Sequence, residues 1–446
     1  DRYEIGREFP RIAEIDLDSG DGGKLILAKV ANGDGGDFAL WLRLADGAWR
    51  QIAKDEDGIK SAVFSADKAL YLLSRQDAPR GKILRLRLDA ADLTVASATL
   101  LVPEGEAVID SFVSSPKGLY VKELVGGPSQ VRYFDLEGNL LHVVPLKGLA
   151  SVQQMLVRRG EELTLRTVTF TEPYSWNYYV PGTNRLTRTG LVATSPVEFN
   201  DVEAVREMAT SKDGTKIPLN IIKRKGTKLD GNNPTILYGY GGYSISLVPD
   251  FKVSRRLWLD AGGVYAIANL RGGSEFGEEW HQAGNLAKKQ NVFDDFIACA
   301  EHLIEQRYTK PARLAIEGGS NGGLLMGAAL TQRPELFRAV ATHVGIYDML
   351  RAELEPNGAF NVTEFGTVKD RALFDALYAY SPFHRVKDRT AYPAVLLTTG
   401  ENDGRVNPYN SKKMTARLQA ATSSERPILL RTSASAGHGI GSSLRD

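Results

Sequence analysis

The stretch Arg313-Leu-Ala-Ile-Glu-Gly-Gly-Ser320-Asn-Gly-Gly-Leu-Leu-Met-Gly-Ala-Ala-Leu330 reads as a strand, a tight turn and a helix. Within it, Gly318-Gly319-Ser320-Asn321-Gly322 carries G-x-S-x-G between strand and helix, the context that gives this short pattern a meaning. A serine at the tip of so tight a turn is strained, and side chains two residues to either side would collide with neighbouring backbone. The turn lifts the hydroxyl out of the sheet. It also aims the N–H of Asn321 at an oxyanion forming beside it, where the start of the helix adds a favourable dipole. Ser320 is read as a nucleophile.

Outward from this turn, the chain from about residue 200 alternates strands and helices. Apolar runs at 235–238, 264–270, 314–317, 339–344, 395–399 and 428–432 are separated by helical stretches that include 292–306, 322–331 and 410–421. That order predicts a mostly parallel, doubly wound sheet covered on both faces. Chemistry in such sheets gathers at the carboxyl ends of the strands.

A serine nucleophile of this kind takes its partners in the chain order Ser, Asp or Glu, His. Three histidines follow Ser320. His343 lies inside a strand-like run, and His384 precedes any plausible acid loop. His438, in Ala436-Gly437-His438-Gly439, comes just past the last strand and is read as the base. The acid must stand between. Asp403 sits in the loop after the strand at 395–399, where its carboxylate would orient the imidazole, with Glu401 as the competing carboxylate two residues away.

Residues 1 to about 199 have a different grammar, short strands between Gly, Asp, Pro and Ser turns. Leu25, Leu70, Leu119 and Leu163 recur 45, 49 and 44 residues apart, and Leu44, Leu88, Phe134 and Tyr179 recur at 44, 46 and 45. Two markers with one period predict a four-stranded unit repeated four times, as in propeller blades. The expected division is therefore 1–199, a partial β-propeller of about four blades, and 200–446, an α/β domain. The start at Asp1, without a methionine or leader, suggests a chain entered partway through a domain.

Composition narrows the function classes. Lys plus Arg (55) nearly balances Asp plus Glu (54) over 446 residues, which argues against a surface that tracks nucleic-acid phosphates. No apolar run approaches the roughly 20 residues of a membrane span. The single cysteine, Cys299, excludes an internal disulfide framework or a multi-cysteine metal site, and its apolar helical context predicts a buried thiol. One such residue is equally at home in cytosol or periplasm. No glycine loop has nucleotide-binding spacing and no histidine pair has metal spacing, so no cofactor is expected.

The half from about 200 to 446 resembles the prolyl oligopeptidase family of serine peptidases. The resemblance rests on Leu237-Tyr-Gly-Tyr-Gly-Gly-Tyr243, Ala268-Asn-Leu-Arg-Gly-Gly-Ser-Glu-Phe-Gly277, Gly318-Gly-Ser-Asn-Gly-Gly323, Ser381-Pro382 and Asp403-Gly-Arg405-Val406. It implies an α/β-hydrolase domain capped by a β-propeller that admits short peptides, cleavage after proline through an acyl-enzyme, and a monomer. It also implies that Tyr240 and the N–H of Asn321 hold the oxyanion and that Arg405 binds a substrate carbonyl. The alternatives are a packing aromatic for Tyr240 and a surface arginine paired to Glu401 or Asp403 for Arg405.

The chain departs from the family pattern at the specificity pocket. The position where the family stacks an indole on the substrate proline falls on Asn361, with Phe360 beside it, while Tyr243, Phe365 and Val406 remain to wall an apolar pocket. An altered preference at the residue before the scissile bond (P1), a small-ester hydrolase with the same triad, and an inactive propeller–hydrolase scaffold are the competing functions. Relative to the family, the early blades, the N-terminal segment and the C-terminal helix are expected to lie outside this chain.

Overall fold

The computed structural model describes residues 5–7, 9, 13–32 and 38–439. It forms two compact units. One comprises 1–195 with the short segments 248–251 and 275–279, and the other comprises the remainder.

The first unit consists of four antiparallel four-stranded sheets, each a simple meander in chain order, among the described residues. They cover Ala13–Ala53, Ile59–Val102, Val108–Val143 and Ala150–Val192. The two repeating markers fall at equivalent places. Leu25, Leu70, Leu119 and Leu163 lie in the second strand of their sheets, and the other marker lies within one residue of the end of the third. In two sheets the markers face each other directly, Leu119 opposite Phe134 and Leu163 opposite Tyr179. Three apolar clusters, each drawing on two consecutive sheets, hold the sheets together through residues such as Leu72, Leu119 and Leu165. This is a β-propeller arrangement.

The second unit is built on eight strands: β1 (Val202–Thr210), β2 (Lys216–Arg224), β3 (Thr235–Tyr238), β4 (Val264–Ala268), β5 (Leu314–Gly319), β6 (Ala339–His343), β7 (Ala394–Gly400) and β8 (Ile428–Ser433). Their spatial order is β1-β2-β4-β3-β5-β6-β7-β8. β1 and β2 pair antiparallel, as do β2 and β4, and all later pairs are parallel. Four long helices accompany them: α1 (Gln290–Glu305), α2 (Asn321–Gln332), α3 (Arg371–Tyr380) and α4 (Tyr409–Ala421). The six strands expected from 235 onward are all present. The antiparallel pair β1/β2 falls within the expected 200–446 domain but is not among the expected strands, which are read from apolar runs alternating with helices; these two follow each other with no helix between them.

The core lies where α1 and α2 meet the sheet, with Phe293, Phe296, Leu324, Leu325, Leu314 and Ile316 each fully buried. Cys299 belongs to this core, and burial pushes its thiol well up. Every residue of β4 is buried, so the sheet is covered on both faces there. Along β5 and β6 burial alternates instead. Ala315, Ala341, Leu396 and Leu429 line an open cleft of about 340 Å³ on the face opposite α2, among the described residues.

Phe296 supports the backbone that leads out of β3, since a methyl group added at Gly239 would lie 2.9 Å from its ring. Phe296→Ala is expected to lower the unfolding free energy by about 3–5 kcal/mol in urea titrations. A loss below about 1 kcal/mol would contradict its place in the core.

Candidate active site

Ser320 caps α2 with φ 58° and ψ −119°, a conformation that costs a non-glycine residue on the order of 1–3 kcal/mol. Its neighbours make that turn possible. A methyl group at Gly318 would lie 2.5 Å from the Gly322 carbonyl oxygen, and one at Gly322 would lie 2.8 Å from that of Gly239. The Ser320 N–H donates to the His343 carbonyl on β6 at 2.8 Å, which holds the turn to the sheet. The hydroxyl is left projecting beyond the carboxyl end of β5.

Two loops from neighbouring strand ends complete the constellation. The loop after β7 and the chain after β8 are joined by Glu401 N–H to Ser433 O at 2.9 Å and Asn402 N–H to Ala436 O at 3.1 Å. That pairing brings Asp403 and His438 together. His438 Nδ1 lies 2.7 Å from Asp403 Oδ2, and His438 Nε2 lies 3.0 Å from Ser320 Oγ. The second carboxylate oxygen of Asp403 accepts the backbone N–H groups of Arg405 and Val406, each at 2.9 Å.

Burial pushes the Asp403 carboxyl up, but the hydrogen bond from His438 and the two backbone donors outweigh it and hold the group below its ordinary range. An ionised Asp403 can only accept, so Nδ1 of His438 carries the proton and Nε2 is free to accept from the serine hydroxyl. Glu401, the competing acid, is exposed and paired with Lys412 at 2.8 Å. His343 bonds Thr398 Oγ1 at 2.8 Å through Nδ1, and His384 bonds the Ser381 hydroxyl at 2.9 Å. The cleft around Ser320 and His438, about 420 Å³, is lined further by His343, Thr398 and Arg431.

Tyr240 and Asn321 are also brought together. The Asn321 side chain, 1% exposed, donates from Nδ2 to the Tyr240 carbonyl at 2.6 Å, fixing the loop after β3 against the start of α2. Tyr243, three residues on, donates its hydroxyl to Asn361 Oδ1 at 2.7 Å and meets Phe365 edge to face at 5.7 Å. Phe360 is half-buried in the turn that ends at Asn361. Phe365 and Val406 are 2% and 5% exposed, so they back the site from within the core. Arg405 is exposed beside Asp403.

Two polar contributions had no signal in the sequence. Glu355 accepts from Asn407 N–H at 2.9 Å and Asn410 Nδ2 at 2.8 Å, tying the 351–361 segment to the chain just after Asp403. Lys289 and Glu364 form a buried ion pair at 2.7 Å beside the Tyr240 loop. Each looks like a surface charge when only its neighbours in the chain are considered. Among the described residues, no helix is long and apolar enough to cross a membrane, and no group of three or more His, Cys, Asp or Glu is arranged to hold a metal ion.

Two family models match the chain: "Prolyl oligopeptidase family" over residues 249–446, and "Prolyl oligopeptidase, N-terminal beta-propeller domain" over residues 11–189. A prolyl endopeptidase of Elizabethkingia meningoseptica is 38% identical over 397 residues, covering 86% of this chain and 55% of the relative. One from Dictyostelium discoideum is 35% identical over 84% of this chain and 51% of the relative. A solved structure from a study of two prolyl endopeptidases superposes with a TM-score of 0.89 at 37% identity, covering 96% of this chain and 63% of that one. Prolyl oligopeptidase B of Galerina marginata, bound to a 25mer macrocyclisation substrate, superposes with a TM-score of 0.89 at 28% identity, over 98% of this chain and 62% of that one. The chain spans about half the length of the curated relatives it matches.

The depressed carboxyl of Asp403 has a consequence for stability. A group held below its unfolded value stabilises the fold above that unfolded value, about pH 4 for an aspartate, and the contribution disappears as pH falls through the folded value. Asp403→Asn is therefore expected to narrow the difference in unfolding free energy between pH 7 and pH 3, measured by urea titration at each pH. An unchanged difference would contradict the assignment of this carboxylate as the charged partner of His438.

Proposed function

The chain belongs to the prolyl oligopeptidase family of serine peptidases, and from that premise we propose that it carries the catalytic centre of an endopeptidase that cleaves short peptides, as a monomer, by an acyl-enzyme route. The observation that carries the proposal is the continuous relay of 2.7 Å and 3.0 Å from Asp403 through His438 to Ser320. As Ser320 Oγ bonds to the scissile carbonyl carbon, its proton passes to His438 Nε2, and Asp403 stabilises the imidazolium. The developing oxyanion is received by the Asn321 N–H and the Tyr240 hydroxyl. His438 returns the proton to the departing amine. Water then enters and bonds to the acyl carbon as His438 Nε2 takes its proton; the bond from that carbon to Ser320 Oγ breaks, His438 returns the proton to Oγ, and the acyl group leaves as a carboxylic acid.

The names of the relatives support proline as the residue before the scissile bond. Arg405, exposed beside Asp403, is proposed to bind a backbone carbonyl of the substrate. The near balance of 55 basic and 54 acidic residues supports a neutral substrate over a polyanion.

One observation favours a second reading of specificity. Asn361 presents an amide, held by the Tyr243 hydroxyl, where the family resemblance expects an aromatic face for the proline ring. Phe365, buried edge-on behind Tyr243, does not supply that face. On this reading the enzyme accepts a broader range of residues at P1, alanine included.

Replacing Ser320 with Ala in the full-length protein is expected to lower turnover of a prolyl amide on the order of a million-fold and to abolish labelling by a fluorophosphonate. Retention of most activity would remove Ser320 from the mechanism, and a folded wild type that resists labelling would support an inactive scaffold. Asn361→Trp is expected to raise kcat/KM for a prolyl amide relative to an alanyl amide by up to about tenfold, the range of an aromatic stacking contact. An unchanged ratio would place the proline-binding surface elsewhere.

A further inference from the structure

Lys289 stands in the polar run Leu286-Ala-Lys-Lys-Gln290, yet it is 1% exposed. Its ammonium donates to the Gly241 carbonyl at 2.9 Å and to Glu364 Oε1 at 2.7 Å, and lies 5.3 Å from the centroid of the Phe365 ring. Glu364, 2% exposed, places its other oxygen 3.0 Å from His281 Nε2. Burial pushes the Glu364 carboxyl up, and Lys289 and His281 together pull it further down, below the usual carboxylate range.

Stability alone does not account for such a pair. Removing two charges from water costs several kcal/mol each, and replacing a buried ion pair by apolar side chains of similar volume is often neutral or stabilising. The place of the pair is informative. Gly241 follows Tyr240 and precedes Tyr243 by two residues, while Glu364 lies between Asn361 and Phe365 in the short helix Val362–Phe365. One ammonium thus bridges the loop carrying the proposed oxyanion donor and the turn carrying the specificity position. The same two segments meet again through Tyr243 and Asn361.

We infer that Lys289 is a positioning residue: its ammonium clamps the Gly241 carbonyl to the Glu364 carboxylate and so holds Tyr240 and the Asn361 turn in one fixed relation. This deepens the proposed peptidase reading and rests on it. Lys289 acts through Gly241 and Glu364. Its effect is to keep the Tyr240 hydroxyl where the oxyanion forms, a task in which a displacement of about 1 Å costs on the order of a hundredfold in rate.

The test uses the full-length protein with active sites counted by fluorophosphonate labelling of Ser320. The paired change Lys289→Met with Glu364→Leu removes both charges together and keeps the volume filled, so no unpaired charge is left buried, although Gly241 O and His281 Nε2 lose these partners; counting labelled sites corrects for any unfolded fraction. The expected result is a loss of about tenfold or more in kcat per labelled site on a prolyl amide. In a Tyr240→Phe background the same paired change is expected to cost less than about twofold, because the donor it positions is gone. Full kcat per labelled site in the paired variant, or an equal loss in both backgrounds, would overturn the inference while leaving the proposed peptidase intact. A wild type not labelled at Ser320 would overturn both. Should the paired variant not fold, Glu364→Gln is expected to lower kcat per labelled site about threefold, and an unchanged value would overturn the inference.

Discussion

The backbone of Ser320, at φ 58° and ψ −119°, is the constraint around which the second unit is organised. A side chain in that region of conformational space is held there only by its surroundings. The surroundings are specific. The carbonyls of Gly322 and Gly239 pass too close for any side chain at Gly318 or Gly322, and the His343 carbonyl accepts the serine N–H from the adjacent strand. The turn, the sheet register between β5 and β6, and the first residues of α2 are therefore one mechanical object. The direction of the hydroxyl follows from it.

The partners of that hydroxyl are held differently. Asp403 and His438 sit on loops, and loops are positioned by the hydrogen bonds that close them. Two backbone bonds join the loops after β7 and β8, two N–H groups orient the carboxylate, and Glu355 ties the 351–361 segment to the chain beyond Asp403. On the other side of Ser320, Asn321 grips the Tyr240 carbonyl and Lys289 grips that of Gly241. These segments carry proposed functional side chains and are anchored by polar groups outside the Asp403–His438–Ser320 relay. Buried polar contacts of this kind are demanding because every member must be satisfied, and in return they permit a single arrangement.

Much of this was legible in the chain. The six parallel-sheet strands from 235 onward and three of the long helices appear where alternating and 3.6-residue patterns placed them, because those patterns report which face of a segment is buried. The blade period was readable for the same reason: Leu119 and Phe134, fifteen residues apart, are cross-strand partners, and the pairing recurs with Leu163 and Tyr179. The β1/β2 pair, inside the expected second domain, went unread because that reading rested on apolar runs alternating with helices, and no helix separates these two strands.

What the amino-acid sequence determined by itself is the order of the parts: a serine turn between strand and helix, an acidic loop after a later strand, a histidine after the last one, and a four-fold strand repeat before them. Those features depend on residues close together in the chain, where backbone geometry alone relates pattern to structure. Only the tertiary structure decided that Asn361 bonds Tyr243, that Lys289 is buried against Glu364, and that one face of the sheet along β5 to β8 is open among the described residues. Each of those depends on groups tens to more than a hundred residues apart meeting in space, and on burial, which no charged residue announces through its neighbours in the chain.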